Sequence, residues 1–126
     1  RGPSNYMYPW GNLFIADNVV FNRTSDLGTT KVGSKRGGRS WVGAFDLSGN
    51  VWEWCHDWYG EDYYRVSPHE NPAGPASGRY RVTRGGSWLT SDKELSRLKV
   101  WTRDHQLPDS GHNHVGFRCV QDGPRP

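Results

Sequence analysis

The sequence predicts an α+β fold built from short strands, little helix and much irregular backbone. Three observations carry this reading. The strand candidates are brief, and each is cut off by Gly, Pro or a polar turn before a long regular element can form. Only residues 91–98 have helical character, with Ser91 or Asp92 as the cap. Hydrophobic residues make up just 33% of the chain, yet it holds seven Trp, six Tyr and four Phe. Each large ring can remove roughly 150–250 Å² from water, so the core is expected to rest on a few aromatic anchors.

Taken in order, residues 6–14 contain a Trp-Gly-Asn turn and residues 16–21 form a brief apolar run. Residues 33–40 combine Gly with basic residues and read as a loop. Residues 51–58 read as a strand, with Val51, Glu53 and Cys55 on one face and Trp52, Trp54 and His56 on the other. Three prolines and three glycines in residues 59–78 predict a long surface loop, with a short turn around Asp62-Tyr63-Tyr64. Residues 80–88 are the next strand candidate, interrupted by Gly85-Gly86, which suggests a bulge or a close backbone approach. Residues 100–103 and 115–120 are short strand candidates, with a turn at residues 107–111 between them. The aromatic centre is expected at Trp52 or Trp54, Trp88 and Phe117.

A length of 126 residues implies one domain, spanning 1–126. No apolar stretch approaches the roughly 20 residues of a membrane span. The net charge is +3, and its basic residues (Lys31, Lys35, Arg36 and Arg39; Arg79, Arg81 and Arg84) are spaced by Gly, Ser and Val. No nucleic-acid-binding motif accompanies them, so no nucleic-acid partner is expected. Cys55 and Cys119 could pair with each other or with cysteines elsewhere, and their spacing matches neither a zinc site nor a redox pair. Asn22-Arg23-Thr24 satisfies the glycosylation triplet. Arg1-Gly2-Pro3-Ser4 resembles neither a signal peptide nor a natural start, so the chain is expected to be a piece of something longer.

Two clusters could carry chemistry. Asp46 and Glu53 are hard oxygen donors, and Gly49 between them permits a tight turn that can aim carbonyls at a calcium ion. The ordinary alternative has Asp46 making a turn and Glu53 pairing with an arginine. His112 and His114 could share a strand face, with Asp109 and His105 near in sequence. No third ligand stands at a zinc-like spacing, so a flexible polar loop is the plainer reading. His56 and Asp57 are adjacent and point opposite ways on a strand, and Ser87 lacks a nucleophile elbow.

The motifs Tyr8-Pro9-Trp10-Gly11-Asn12, Phe45-Asp46-Leu47-Ser48-Gly49-Asn50-Val51-Trp52-Glu53-Trp54, Asp57-Trp58-Tyr59, Arg84-Gly85-Gly86-Ser87-Trp88 and Pro108-Asp109-Ser110 with Gly116-Phe117-Arg118-Cys119 resemble the C-terminal half of the formylglycine-generating enzyme (sulfatase-modifying factor) family. The resemblance covers nearly the whole chain and implies a C-type-lectin-like fold. It places the family's first half on a separate or missing segment. It also implies a calcium ion held by the Asp46 and Glu53 side chains and by the Gly49 and Val51 carbonyls. A second family calcium would use Asn18 and the Val19 carbonyl, but its acidic partner falls where this chain is shortened, between Phe21 and Val32.

The family's oxidase members hold copper with two cysteines, whose places here are taken by Thr90 and Leu95. Neither supplies the thiolate that Cu(I) requires, so formylglycine generation is not expected. Other relatives are hypervariable ligand-binding proteins of diversity-generating retroelements, whose variable surface corresponds to residues 89–114. The resemblance therefore implies a calcium-stabilised ligand-binding or protein-interaction module. Its contacts to a protein or small molecule would come from Thr90, Trp101, His105, His112 and His114. The alternative is part of an iron-dependent oxidoreductase, sulfoxide-synthase-like, whose metal ligands lie partly outside this chain.

Overall fold

The alternating tract of residues 51–58 becomes a central strand. In the computed structural model, which describes residues 2–120, β1 (Trp52–Trp58) is flanked by β2 (Arg81–Arg84) and β4 (Val115–Gly116), and β3 (Asp104–Gln106) lies outside β2. Arg1 and residues 121–126 of the expected 1–126 span lie outside the described residues. The sheet is mixed. β2 runs antiparallel to β1, with Glu53 opposite Arg84 and Trp54 opposite Thr83, and the register slips before Trp58 meets Arg81. β3 is antiparallel to β2, pairing Val82 with His105. β4 is parallel to β1, pairing Trp52 with Val115 and Glu53 with Gly116. A parallel pair cannot be closed by a hairpin, so the long path from β1 to β4 is where β2, β3 and the loops between them are placed.

The helical part of this α+β arrangement consists of short 3-10 turns: Ala16–Asn18, Asn22–Thr24, Arg36–Gly38, Tyr63–Arg65 and Asp92–Leu98. The last matches the expected helical stretch, but Glu94 at φ −118°, ψ 22° breaks it into two pieces. Residues 59–78 form the expected irregular loop, with its turn at Tyr63–Arg65. The third strand begins later than residues 100–103 suggested. The Val100 N–H is drawn away to the Met7 carbonyl and the Thr102 N–H to Lys99, so neither can join a ladder. Residues 115–120 supply only the two-residue β4.

The core corrects the aromatic expectation. Tyr8, Val19, Phe21 and Leu98 form its buried cluster, against which Trp10, Phe14, Ala16 and Leu95 pack. Tyr8 stacks on Trp10 at 5.3 Å, and Phe14 meets Phe21 edge-on at 5.5 Å, a favoured arrangement of ring quadrupoles. Trp52 is buried as expected, and Trp54 and Trp88 are half-buried. Phe117 is 75% exposed, because β4 ends at Gly116 and nothing among the described residues covers the ring. The short apolar run of residues 16–21 outranks these bulkier rings because three consecutive side chains, Val19, Val20 and Phe21, are all buried.

The expected close approach at the glycine pair is present, since a Cβ on Gly86 would lie 2.7 Å from Leu98 Cδ2. A tighter fit than this is elsewhere. Gly49 has φ +79°, and a Cβ there would lie 2.3 Å from the Val20 carbonyl oxygen. Gly49→Ala is therefore expected to cost at least about 2 kcal/mol in urea unfolding, from left-handed strain plus the clash. A loss near zero would mean that the loop relaxes freely. No helix among the described residues is long and apolar enough to cross a membrane. Cys55, half-buried, and Cys119, exposed, are both free thiols and are not bonded to each other. Burial pushes the Cys55 thiol above its usual value, partly opposed by the nearby Arg84 charge.

Candidate functional site

Three residues of the Asp46 tract adopt the left-handed conformation: Asp46 (φ 56°), Gly49 (φ 79°) and Asn50 (φ 64°). They coil the chain tightly before it enters β1, and the coil is pinned from several sides. The Asp46 carboxylate accepts the Gly33 N–H at 2.7 Å. Asn50 is buried, and its side chain accepts the Thr30 N–H at 3.1 Å. Its own N–H donates to Val20 at 2.8 Å, and its carbonyl accepts from Trp88 at 2.9 Å. At the start of β1, Glu53 faces Arg118, whose Nε donates to one carboxylate oxygen at 2.7 Å and whose Nη2 donates to the other. Arg118 also donates to the carbonyls of Phe45 (3.0 Å) and Asp46 (3.2 Å). The Glu53 hydrogen bonds hold the guanidinium pKa above its ordinary value, against the opposing effect of burial.

A cleft of about 410 Å³ results, lined by Asp46, Val51, Glu53 and Arg118 with Gly33 and Phe117 at its walls. Three of the four expected calcium donors thus share one cleft, while Gly49 lies behind it with its N–H on the Gly85 carbonyl at 2.8 Å. The donor chemistry suits calcium, since both side chains are carboxylates and the remaining oxygens are peptide carbonyls. One ordinary role is present as well, since Glu53 is paired to an arginine, while the Asp46 carboxylate reaches across to Gly33 instead of closing a local turn. A cation would have to share Glu53 with Arg118 or displace it. At the second expected position, the Val19 carbonyl already accepts the Thr24 hydroxyl at 2.7 Å, and the Asn18 side chain lies against the Arg36–Gly38 turn. Among the described residues, no group of three or more His, Cys, Asp or Glu side chains is placed to hold a metal.

Thr90 and Leu95, the two positions that by the resemblance correspond to copper cysteines, both take part in packing. Thr90 is buried, and its hydroxyl accepts the Ser87 N–H at 3.1 Å while its backbone closes a turn onto the Ser87 carbonyl at 3.0 Å. Leu95 packs against the core cluster. Beside them is a second cleft of about 180 Å³, lined by Trp52, Ser87, Leu89, Thr90, Glu94, Arg97 and His114. Sequence reasoning passed over Glu94 and Arg97. Their signals were the Ser-x-x-Glu spacing from Ser91 and the three-residue step between opposite charges. Arg97 pairs with Glu94 at 3.0 Å and with Asp104 at 2.7 Å.

The Ser91 hydroxyl, bonded to Glu94 at 2.9 Å, is the main cause holding that carboxyl below its ordinary 4.5. A lowered carboxylate pKa contributes stability above the unfolded value, and this is lost as pH falls through the folded one. Ser91→Ala is expected to move the Glu94 titration up toward 4.5, read by side-chain NMR. An unchanged midpoint would remove the hydroxyl as the cause.

The five expected ligand contacts divide into separate places. Thr90 and His114 line the smaller cleft, with His112 beside His114 at 5.1 Å between ring centroids. Burial, then the His112 charge, pushes the His114 imidazole below its ordinary value. Trp101 is apart from this cleft, under the Lys99 ammonium at 5.4 Å. His105 lies on β3, stacked on Tyr59 at 4.1 Å and edge-on to Tyr80 at 4.8 Å, in a row that Arg103 extends over Tyr59 and Tyr64. Its packing position follows from β3 starting at Asp104, a boundary the sequence placed elsewhere.

A profile of the Sulfatase-modifying factor enzyme 1-like domain matches residues 1–123. A formylglycine-generating enzyme of Streptomyces coelicolor is 46% identical over 80 residues, which cover 64% of this chain and 26% of that protein. The inactive C-alpha-formylglycine-generating enzyme 2 of Mus musculus is 33% identical over 136 residues, covering 99% of this chain and 40% of its own length. Among solved structures, Treponema denticola variable protein 1 superposes with a TM-score of 0.69 at 29% identity, over 87% of this chain and 39% of that one. The chain thus spans between about a quarter and two-fifths of the length of these relatives.

Proposed function

The chain belongs to the sulfatase-modifying factor family, with its C-type-lectin-like fold, and from that premise we propose that it is a calcium-stabilised ligand-binding or protein-interaction module without formylglycine-generating activity. One observation carries the reading. By the family resemblance Thr90 and Leu95 take the places of the oxidase members' copper cysteines, and here they serve packing, through a buried hydroxyl closing the Ser87 turn and an aliphatic side chain against the core. The free thiols, Cys55 and Cys119, are at other positions in the chain. The family includes a relative named as inactive and a structural neighbour named as a variable protein, which supports a fold retained apart from the oxidase reaction.

In this reading calcium would be held by the Asp46 and Glu53 carboxylates with the Gly49 and Val51 carbonyls, and would tie the left-handed coil to β1. Arg118 would share Glu53 with the ion while holding the Phe45 and Asp46 carbonyls. The ligand face would centre on the cleft holding Thr90 and His114, with His112 at its edge. Trp101 and His105 would form outlying contacts. The partner is a protein or a small molecule.

Calorimetric titration of chelator-stripped, folded protein tests the calcium half. One equivalent of saturable calcium binding, abolished in Asp46→Ala, is expected. Absence of binding in folded wild-type protein contradicts it.

A further inference from the structure

We propose that the His112–His114 turn is a two-imidazole site for a borderline divalent transition metal, Zn²⁺ or Cu²⁺. The turn is anchored at three successive carbonyls. That of His112 accepts the Val115 N–H at 3.3 Å, that of Asn113 accepts the Trp88 indole N–H at 3.4 Å, and that of His114 accepts the Trp52 N–H at 2.8 Å. The flexible loop expected at these residues is therefore a pinned one, and the two side chains are held before any ligand arrives.

Their separation matches a chelate. A metal at roughly 2.0–2.1 Å from one nitrogen of each ring puts the two centroids about 4.5–5.2 Å apart, across nitrogen–metal–nitrogen angles from square-planar to tetrahedral. The observed separation is 5.1 Å, with the ring planes tilted by 36°. The His114 Nδ1 lies 3.3 Å from the Asn113 side-chain oxygen. An N–H donated there fixes the tautomer and leaves Nε2 with its lone pair free, the arrangement that ligating histidines commonly show. His112 is exposed and His114 half-buried, so the pair can be reached from solvent.

Imidazole nitrogen selects zinc or copper over calcium. No third His, Cys, Asp or Glu completes the set among the described residues. The remaining coordination positions are open to water or to a donor atom from a ligand, as in exchangeable rather than structural sites. None of the calcium donors takes part and no partner is required, so the two sites stand or fall separately.

The test uses untagged, metal-stripped chain. Zinc calorimetry is expected to show one saturable equivalent, weakened at least tenfold in His112→Gln and in His114→Gln and unchanged in His105→Gln. On wild-type protein, one equivalent of Cu²⁺ should give an electron paramagnetic resonance spectrum with coupling to two imidazole nitrogens, a readout that needs no variant to fold. Lack of saturable zinc uptake, binding that survives both single substitutions, or a copper spectrum without two-nitrogen coupling overturns the proposal.

Discussion

Phe21→Ala is expected to cost about 3–5 kcal/mol in denaturant unfolding, the range for deleting a fully buried ring and leaving a cavity behind. Phe21 has no exposed surface, touches Phe14 edge-on, and follows Val19 and Val20, which are almost as fully buried. Phe117→Ala should cost less than about 1 kcal/mol, because an exposed ring leaves no cavity. The pair of measurements is worth making together. If Phe117 proved the costlier deletion, the core would lie on the sheet's far edge and the description of the fold would be wrong.

That contrast also shows where the sequence was readable. Residues 51–58 carry a strand pattern over a full strand length, so the position of β1 could be predicted almost to the residue, although burial along it does not alternate and its register slips after Trp54. The glycine pair after β2 announced a close approach, and the prolines of residues 59–78 announced a loop. What periodicity could not reveal was which ring ends up covered. Phe117 and Phe21 are chemically the same side chain, and only the parallel pairing of β4 with β1, which ends at Gly116, leaves Phe117 outside. Asp104–Gln106 was missed for a similar reason, since a polar edge strand carries no apolar alternation and is fixed by its partner Arg81–Arg84.

At the candidate site, the Asp46-to-Glu53 tract was legible because left-handed backbone favours Gly, Asn and Asp, and those residues recur there. That Glu53 would pair with an arginine was open from the sequence, but which arginine was not legible, because Arg118 arrives from 65 residues away. The division of the ligand contacts between a cleft and an aromatic row depended on strand boundaries and was equally hidden.

Glu53→Ala should have its largest effect when calcium is present. An ion that binds only the folded state adds about 4 kcal/mol at a thousandfold excess over its dissociation constant, and the variant would forfeit that contribution. The variant also loses the Arg118 pair in chelator. That part is smaller, because the pair is only partly buried and its charges are partly screened by solvent. Thermal unfolding in calcium and in chelator separates the two. The expected result is a markedly larger destabilisation in calcium, and equal losses in both conditions would leave Glu53 as an ion-pair residue alone.

The central claim is that this chain keeps the family's fold without its oxidase chemistry, and mass spectrometry of a peptide substrate tests it most directly. The protein, expressed at full length from its gene and supplied with copper, a thiol reductant and oxygen, would be incubated with a peptide carrying a sulfatase-type cysteine motif. The account predicts that the cysteine stays intact, with no mass change to the aldehyde beyond a copper-free control, because Thr90 and Leu95 offer no thiolate to the metal. Conversion of the cysteine to formylglycine above that control would contradict it and would place an oxidase centre elsewhere in the protein.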